Sequence, residues 1–489
     1  MIRKWWVVLF CLVSVTWALS LARADNDREH LQPVFHLLLA KTLHVSVLDS
    51  IVSPGGQVHV RLTHMPGSAD DWVGIYPAGA ANDWDSQVGW AWAPHKGFQT
   101  VAISIGNIQP GIYEARVFFN NSFELEGACQ FLVYDSTAIA RPVYSDAAGL
   151  PELVGSEYGC MGEHPVRKVS VASPWPGYAG DQNVNVDIYY SADGTGKRPT
   201  VFFISGYGQY HSETYRSLLY FIASQGYNCV FIPHKNTEPD FHPEVLLTIL
   251  DGIVDGFSPI IDTTRIGYAG HSEGGGLIFY LARERSSWGS RGRFLFSLAA
   301  WWGFNLPETG NVDYPEKTSM IIQMGDPSHD RGTDPRQNID LLLHNNIPVE
   351  RKTYLYLPGD AQHIADHGIS YSVVKNGDYT YDALEQVGLY RPLEALMRYS
   401  FAGETRWKRI ALPDPGDGNY DTLYTFNGIT VLSTDDPLAN HAVPIPAEDD
   451  LDTDFLCRQH DPQGYYNPRW RMCMPCRDTS RDDPWQQCQ

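Results

Sequence analysis

The chain has 489 residues, 43% of them hydrophobic and 19% charged, which excludes global disorder and, at this length, a single small core; two or three domains are expected. Fifty-seven acidic side chains against 36 basic ones give a formal charge of −21, which makes nucleic acid and anionic membrane surfaces poor partners on electrostatic grounds; no nucleic acid is expected.

Residues 1–24 place Arg3 and Lys4 before an apolar run from Trp5 to about Ala22 and close on Ala22-Arg23-Ala24, the pattern of a removable signal peptide. An uncleaved anchor is the alternative, since the run approaches the length of a span. Cleavage removes three bases and no acid, taking the charge from −21 to −24 and leaving no stable membrane span; the expected location is secreted or extracellular. Of eight cysteines, Cys11 leaves with this segment, and secretion makes disulfides the expectation for the remaining seven. Seven is odd, and Cys229, inside an apolar run, is the expected buried free thiol. The sequon at Asn120 is a glycosylation candidate.

From 41 to 135 short alternating strands, such as Gln57–Leu62 and Ile112–Phe119, are punctuated by Pro54-Gly55-Gly56 and Gln109-Pro110-Gly111. This predicts a β-sandwich. Within it, Asp71–Pro77 and Gly111–Asn120 resemble the immunoglobulin-like accessory domain that precedes catalytic domains in some secreted phosphoesterases. A connector follows at 135–160. From 160 to 402 apolar strands alternate with amphipathic helices, which predicts an α/β domain with a mostly parallel sheet flanked by helices. Strands are expected at Val184–Tyr190, Thr200–Ser205, Asn228–Pro233, Arg265–Ala269, Phe294–Ala300, Ser319–Met324 and Thr353–Leu357, and helices at Ser212–Gln225, Glu244–Val254 and Gly274–Arg285. The tail, 403–489, is acidic and carries Cys457, Cys473, Cys476 and Cys488, for which two disulfides are favoured over a zinc site.

The chemistry centres on Ser272, in Gly270-His271-Ser272-Glu273-Gly274 between a predicted strand and a predicted helix. Such a turn exposes a serine hydroxyl at the carboxyl end of a sheet, leaves no room for side chains two residues either side, and aims helix N-terminal amides at developing negative charge. The stretch Asp262 to Gly276 resembles the nucleophile region of the α/β-hydrolases, in particular the branch of cutinase-like polyester hydrolases, dienelactone-hydrolase relatives and platelet-activating-factor acetylhydrolases. The resemblance runs over about 165–402 and implies a serine esterase with its partners in the chain order serine, acid, histidine.

On that resemblance, the backbone N–H groups of Glu273 and Tyr207 are the expected oxyanion donors. The acid falls in the loop after Met324: Asp330 is favoured, Asp326 is the alternative and Asp334 is a third choice. His363, after the last strand, is the expected base, with His367 as its rival; His329 is read as structural or exposed. Trp301 and Trp302 are candidate walls of an acyl pocket, one of them expected to be plain core. Glu273 departs from the family pattern, because a carboxylate beside the oxyanion repels charge unless it points away or is paired. No cofactor motif or metal-ligand cluster is visible. The expected function is hydrolysis of a small-molecule, lipid or polymer ester. The alternatives are an inactive binding or adhesion module, or an amidase or peptidase using the same triad. Oligomeric state is open.

Overall fold

The computed structural model describes residues 42–173, 184–233 and 243–412, apart from short stretches between 302 and 361, and four further strands between 424 and 474. The predicted signal segment, Trp302, Asp326, Asp334, Cys457, Cys476 and Cys488 lie outside the described residues; of Cys473 only its place in the strand Met472–Met474 is described.

Eight strands come first: β1 (His44–Val47), β2 (Ile51–Val52), β3 (Gln57–Met65), β4 (Trp72–Pro77), β5 (Gly89–Trp92), β6 (Gly97–Ser104), β7 (Gly111–Phe118) and β8 (Leu125–Val133). They form a sheet ordered β1-β3-β6 and another ordered β2-β8-β7-β4-β5. The alternation read in β3 is a burial alternation, with Val58, Val60 and Leu62 turned inward onto an apolar cluster shared with Val73, Ile75, Val117 and Phe131 of the second sheet. Asn120 sits exposed in the turn after β7 at φ 52°, a conformation asparagine tolerates better than most residues.

A second architecture begins at 137 with β9 (Thr137–Ala138), β10 (Val143–Tyr144), β11 (Val166–Ala172), β12 (Asn185–Ser191), β13 (Arg198–Ile204), β14 (Asn228–Ile232), β15 (Ile261–His271), β16 (Gly292–Leu298), β17 (Thr318–Met324) and β18 (Lys352–Tyr356). One sheet runs β18-β17-β16-β15-β13-β14-β12-β11-β9, and a hairpin at 424–434 adds to β18. Strands β13 to β18 are mutually parallel, whereas β12 and β11 are antiparallel to their neighbours. The parallel strands are buried on both faces, which is why they read as continuous apolar runs.

Successive side chains leave a strand on opposite faces, so Val201 and Phe203 join one apolar layer while Phe202 and Ile204 join the other. The first layer is covered by α1 (Arg216–Ser224) and the helical block at 385–411; the second by α2 (Glu244–Gly256) and α3 (Glu273–Glu284). Ile51 and Leu132 of the N-terminal strands enter the second layer, and Tyr134 stacks on Phe257 at 4.9 Å, so the two architectures share packed surface.

Several elements were not anticipated, among them the short strands β9 and β10 in the stretch read as a connector. Strand β11, paired with β12 on one side and the two-residue β9 on the other, is Val-Arg-Lys-Val-Ser-Val-Ala, only partly buried, and its charged positions disguise it. The block at 385–411 packs its apolar residues around a buried Trp407. Of the cysteines with described side chains, Cys229 is a buried free thiol and Cys129 and Cys160 are also free, so no disulfide joins these three.

Candidate active site

The connection after β13 leads towards β14, while that after β15 leads towards β16 on the other side. These strands are adjacent, so the sheet splits its connections between them, and a crevice at their carboxyl ends is the preferred ligand position in such sheets. Gly206 ends one wall and Ser272 the other.

Ser272 stands between β15 and α3 with φ 55° and ψ −120°, a conformation costly for a residue with a side chain, on the order of 1–3 kcal/mol. Its neighbours hold it there. The Ser272 N–H donates to the Leu298 carbonyl at 2.9 Å, and its own carbonyl accepts the N–H of Trp301 at 3.1 Å. Glycines make the turn sterically feasible: a Cβ on Gly270 would lie 2.4 Å from the Gly274 oxygen, and one on Gly274 only 2.2 Å from the Ile204 oxygen. A Cβ on Gly275 would lie 2.9 Å from the Leu298 carbonyl oxygen. Consecutive glycines weaken a helix start by about 1 kcal/mol each, and here their small size lets α3 seat on the ends of β13 and β16.

Gly206 lies against the same turn. A Cβ there would meet His271 Nδ1 at 3.0 Å, the Tyr215 hydroxyl at 3.2 Å and Ser272 Cβ at 3.3 Å. The Gly206 N–H donates to the Tyr215 hydroxyl at 3.0 Å and is therefore committed; Tyr207 follows it on the loop with its side chain half exposed. Glu273 opens α3 with its side chain 1% exposed. A carboxylate in the first turn is favoured by the helix dipole, which offsets the repulsion expected beside an oxyanion. The ring of Trp301 is buried.

The acid loop after β17 and the histidine loop after β18 meet above this turn. Asp330 is buried, and its Oδ1 lies 3.1 Å from Nδ1 of His367. Thr333 Oγ1 is 3.0 Å from the same nitrogen and donates to the Ala299 carbonyl at 3.4 Å. Both partners can thus accept from Nδ1–H, a tautomer that leaves the Nε2 lone pair of His367 as a base.

The structure does not bring His363 to Asp330. The Nε2 atom of His363 faces the Asp146 carboxylate of the connector at 3.3 Å, with side-chain exposures of 3% and 1%. The His367 side chain is 31% exposed, so of the two imidazoles it is the one open to solvent. His329 is exposed.

His271, next to the serine, is fully buried with Nδ1 3.0 Å from the Tyr215 hydroxyl and Nε2 2.7 Å from the His367 carbonyl oxygen. Burial holds its pKa well below the usual histidine range; the neighbouring His367 acts in the same direction and the bond to the His367 carbonyl opposes it. Tyr215, His271 and Thr333 escaped the sequence reading as site residues. The position of His271 inside the serine motif was the available signal.

No protein-family model matches this chain, and no curated protein does. Solved structures similar to it include Est1E from Butyrivibrio proteoclasticus, at 15% identity over 38% of this chain and 88% of that one, with a TM-score of 0.28. Another is a Klebsiella pneumoniae protein assigned as a dienelactone hydrolase, at 14% identity over 40% and 87%, TM-score 0.29. Esterase B from Lactobacillus rhamnosis matches at 17% identity over 33% and 65%, TM-score 0.26. The chain spans about half (49%) the length of an inhibited form of that esterase. Overlaps of this extent assign no role to any residue. Among the described residues no group of His, Cys, Asp and Glu is arranged to hold a metal ion, and no helix is long and apolar enough to cross a membrane.

Proposed function

We propose that this chain is a serine hydrolase that cleaves carboxylic esters through an acyl-enzyme on Ser272, with His367 as the base and Asp330 as the group that orients it. One observation carries the reading: the histidine hydrogen-bonded to the buried Asp330 sits on the loop whose backbone is tied to His271, the residue before the strained serine. His367 is taken for this role in place of His363, because the more exposed imidazole is the one hydrogen-bonded to Asp330, while His363 is buried against the Asp146 carboxylate of the connector.

In the first step the Ser272 hydroxyl attacks the ester carbonyl while Nε2 of His367 takes its proton. The backbone N–H groups of Tyr207 and Glu273 receive the oxyanion; the commitment of the Gly206 N–H to Tyr215 favours Tyr207 for one of these places. Collapse expels the alcohol, protonated by His367, and leaves the acyl group on Ser272. Water, deprotonated by the same imidazole, then attacks the acyl carbonyl, and the second collapse releases the acid and restores the serine. Trp301 and Trp302 are proposed at the acyl side. The same triad suits an amide, and an ester is preferred for its better leaving group. The chain is further proposed to be secreted after loss of residues 1–24, glycosylated at Asn120 and disulfide-bonded through its C-terminal cysteines. Residues 41–135 are proposed as a β-sandwich accessory domain ahead of the catalytic domain at 160–402.

Hydrolysis of nitrophenyl esters from acetyl to palmitoyl by wild type, His367→Ala and His363→Ala tests the assignment. His367→Ala should lose at least about a thousandfold in kcat, and His363→Ala should keep its rate per folded molecule. The reverse pattern would return the base to His363.

A further inference from the structure

The hydrogen-bond directions on the path from the β13 loop to the histidine loop follow from the two backbone groups at its ends. The His367 carbonyl oxygen can only accept, so Nε2 of His271, 2.7 Å away, carries that ring's proton. Nδ1 of His271 is then a bare acceptor, and the Tyr215 hydroxyl, 3.0 Å away, donates to it. The same hydroxyl oxygen accepts the Gly206 N–H at 3.0 Å. The result is one directed chain: Gly206 N–H to Tyr215, Tyr215 O–H to His271, His271 N–H to the backbone of His367. Tyr215 and His271 are both fully buried.

The ends of this chain matter more than its middle. Gly206 immediately precedes Tyr207, the proposed oxyanion donor, and His367 is the proposed base. Further bonds run beside it: the Ser372 N–H donates to the Thr214 carbonyl at 2.7 Å, and the Ser217 N–H donates to Ser372 Oγ at 2.7 Å. The Tyr371 ring closes the side, 5.4 Å from that of Tyr215 and 5.1 Å from that of His271. Segments 206–217 and 366–372, remote in sequence, are thus joined directly beneath the crevice.

We propose that Tyr215 and His271 are positioning residues that set the spacing between the oxyanion loop and the base, through a directed hydrogen-bond relay running from Gly206 to His367. The inference rests on the serine hydrolase reading of the site. Neither side chain meets substrate. The relay acts through the backbone at both ends, so its loss leaves every reacting group present and shifts their relative positions. Since oxyanion and general-base interactions are realised in the transition state, misplacement lowers kcat and leaves ester binding little changed. A neutral His271 is required throughout, because a second ring proton would confront the Tyr215 hydroxyl hydrogen; burial keeps that proton off.

Tyr215→Phe removes one oxygen and keeps the ring. Active sites are counted with a fluorophosphonate, and kcat and KM for a short-chain nitrophenyl ester are expressed per labelled Ser272. The expected result is a kcat lower by about ten- to a hundredfold with KM within about twofold. A purely structural tyrosine would reduce the number of labelled sites and leave kcat per site unchanged, and that outcome would overturn the relay. If Tyr215→Phe does not fold, His271→Gln and His271→Leu make the same comparison. Glutamine can still donate to the His367 carbonyl and should retain more kcat per site than leucine; equal, wild-type values would overturn the relay. Failure of folded wild type to take up the fluorophosphonate would remove the hydrolase reading itself, and the relay's catalytic role with it.

Discussion

Gly274→Ala isolates the fit between α3 and the end of β13. The added carbon would sit 2.2 Å from the Ile204 oxygen and 2.3 Å from the Ser205 oxygen, both backbone atoms that no rotamer change can move. Ordinary contact begins at 3.4 Å, so the helix start and the strand end must part by about 1.2 Å. Overpacking of this kind costs about 1–3 kcal/mol, offset by up to about 1 kcal/mol of better helix propensity for alanine. Urea unfolding should therefore show a loss of about 3 kcal/mol or less, leaving a folded protein. Catalysis is more sensitive, because the displacement separates Ser272 and the Glu273 N–H from the β13 loop, and an error of about 1 Å costs about a hundredfold. The assay is kcat/KM on a short-chain nitrophenyl ester, with Gly256→Ala as control: a Cβ at Gly256 meets nothing within 4 Å. The control should be within about 1 kcal/mol of wild type, any change being a gain from helix propensity, and fully active. Wild-type kcat/KM for Gly274→Ala would refute the account of this motif.

Three further outcomes are expected. Because burial holds His271 neutral in the folded state while the unfolded chain takes up a proton near pH 6.5, its contribution is fully present above that pH. It is lost as pH falls below that value, at up to about 1.4 kcal/mol per pH unit; urea unfolding at pH 7.5 and 5.5 should show a smaller difference in His271→Gln, and an unchanged difference would contradict a neutral His271. His363→Ala leaves the Asp146 carboxylate buried without its imidazole and should cost about 3 kcal/mol, at the low end for broken buried pairs because the Ala148 and Ala383 N–H groups still serve it. A thermal midpoint equal to wild type would count against that pair. Cys229, fully buried with its thiol pKa pushed up by burial, should react with a disulfide reagent only after unfolding; thiol mapping by mass spectrometry that finds it modified in native protein would contradict this.

Much of the sheet was legible because its parallel strands are buried on both faces. Runs such as Val201 to Ile204 and Cys229 to Ile232 are short, apolar and bounded by turn residues, which favours buried strands, and the expected strands fall within a few residues of β12 to β18. The serine turn was legible because its glycines answer a local steric demand that a short motif records. The partner of each histidine was not, since His363 and His367 share one loop and differ only in what the fold brings to them. Asp146, which claims His363, lies 217 residues away, and Asp330 meets His367 from a different loop. Tyr215 was equally hidden: a tyrosine at the start of an amphipathic helix reads as core, and only the position of its hydroxyl between Gly206 and His271 distinguishes it.

The central claim is that Ser272 is a nucleophile served by His367. Intact-mass and peptide mapping after brief exposure of the folded protein to a fluorophosphonate tests it most directly. The account predicts one adduct per chain, on Ser272, formed at least about a hundredfold more slowly in His367→Ala. Folded wild type left unmodified, or an adduct on another residue with Ser272 untouched, would contradict it.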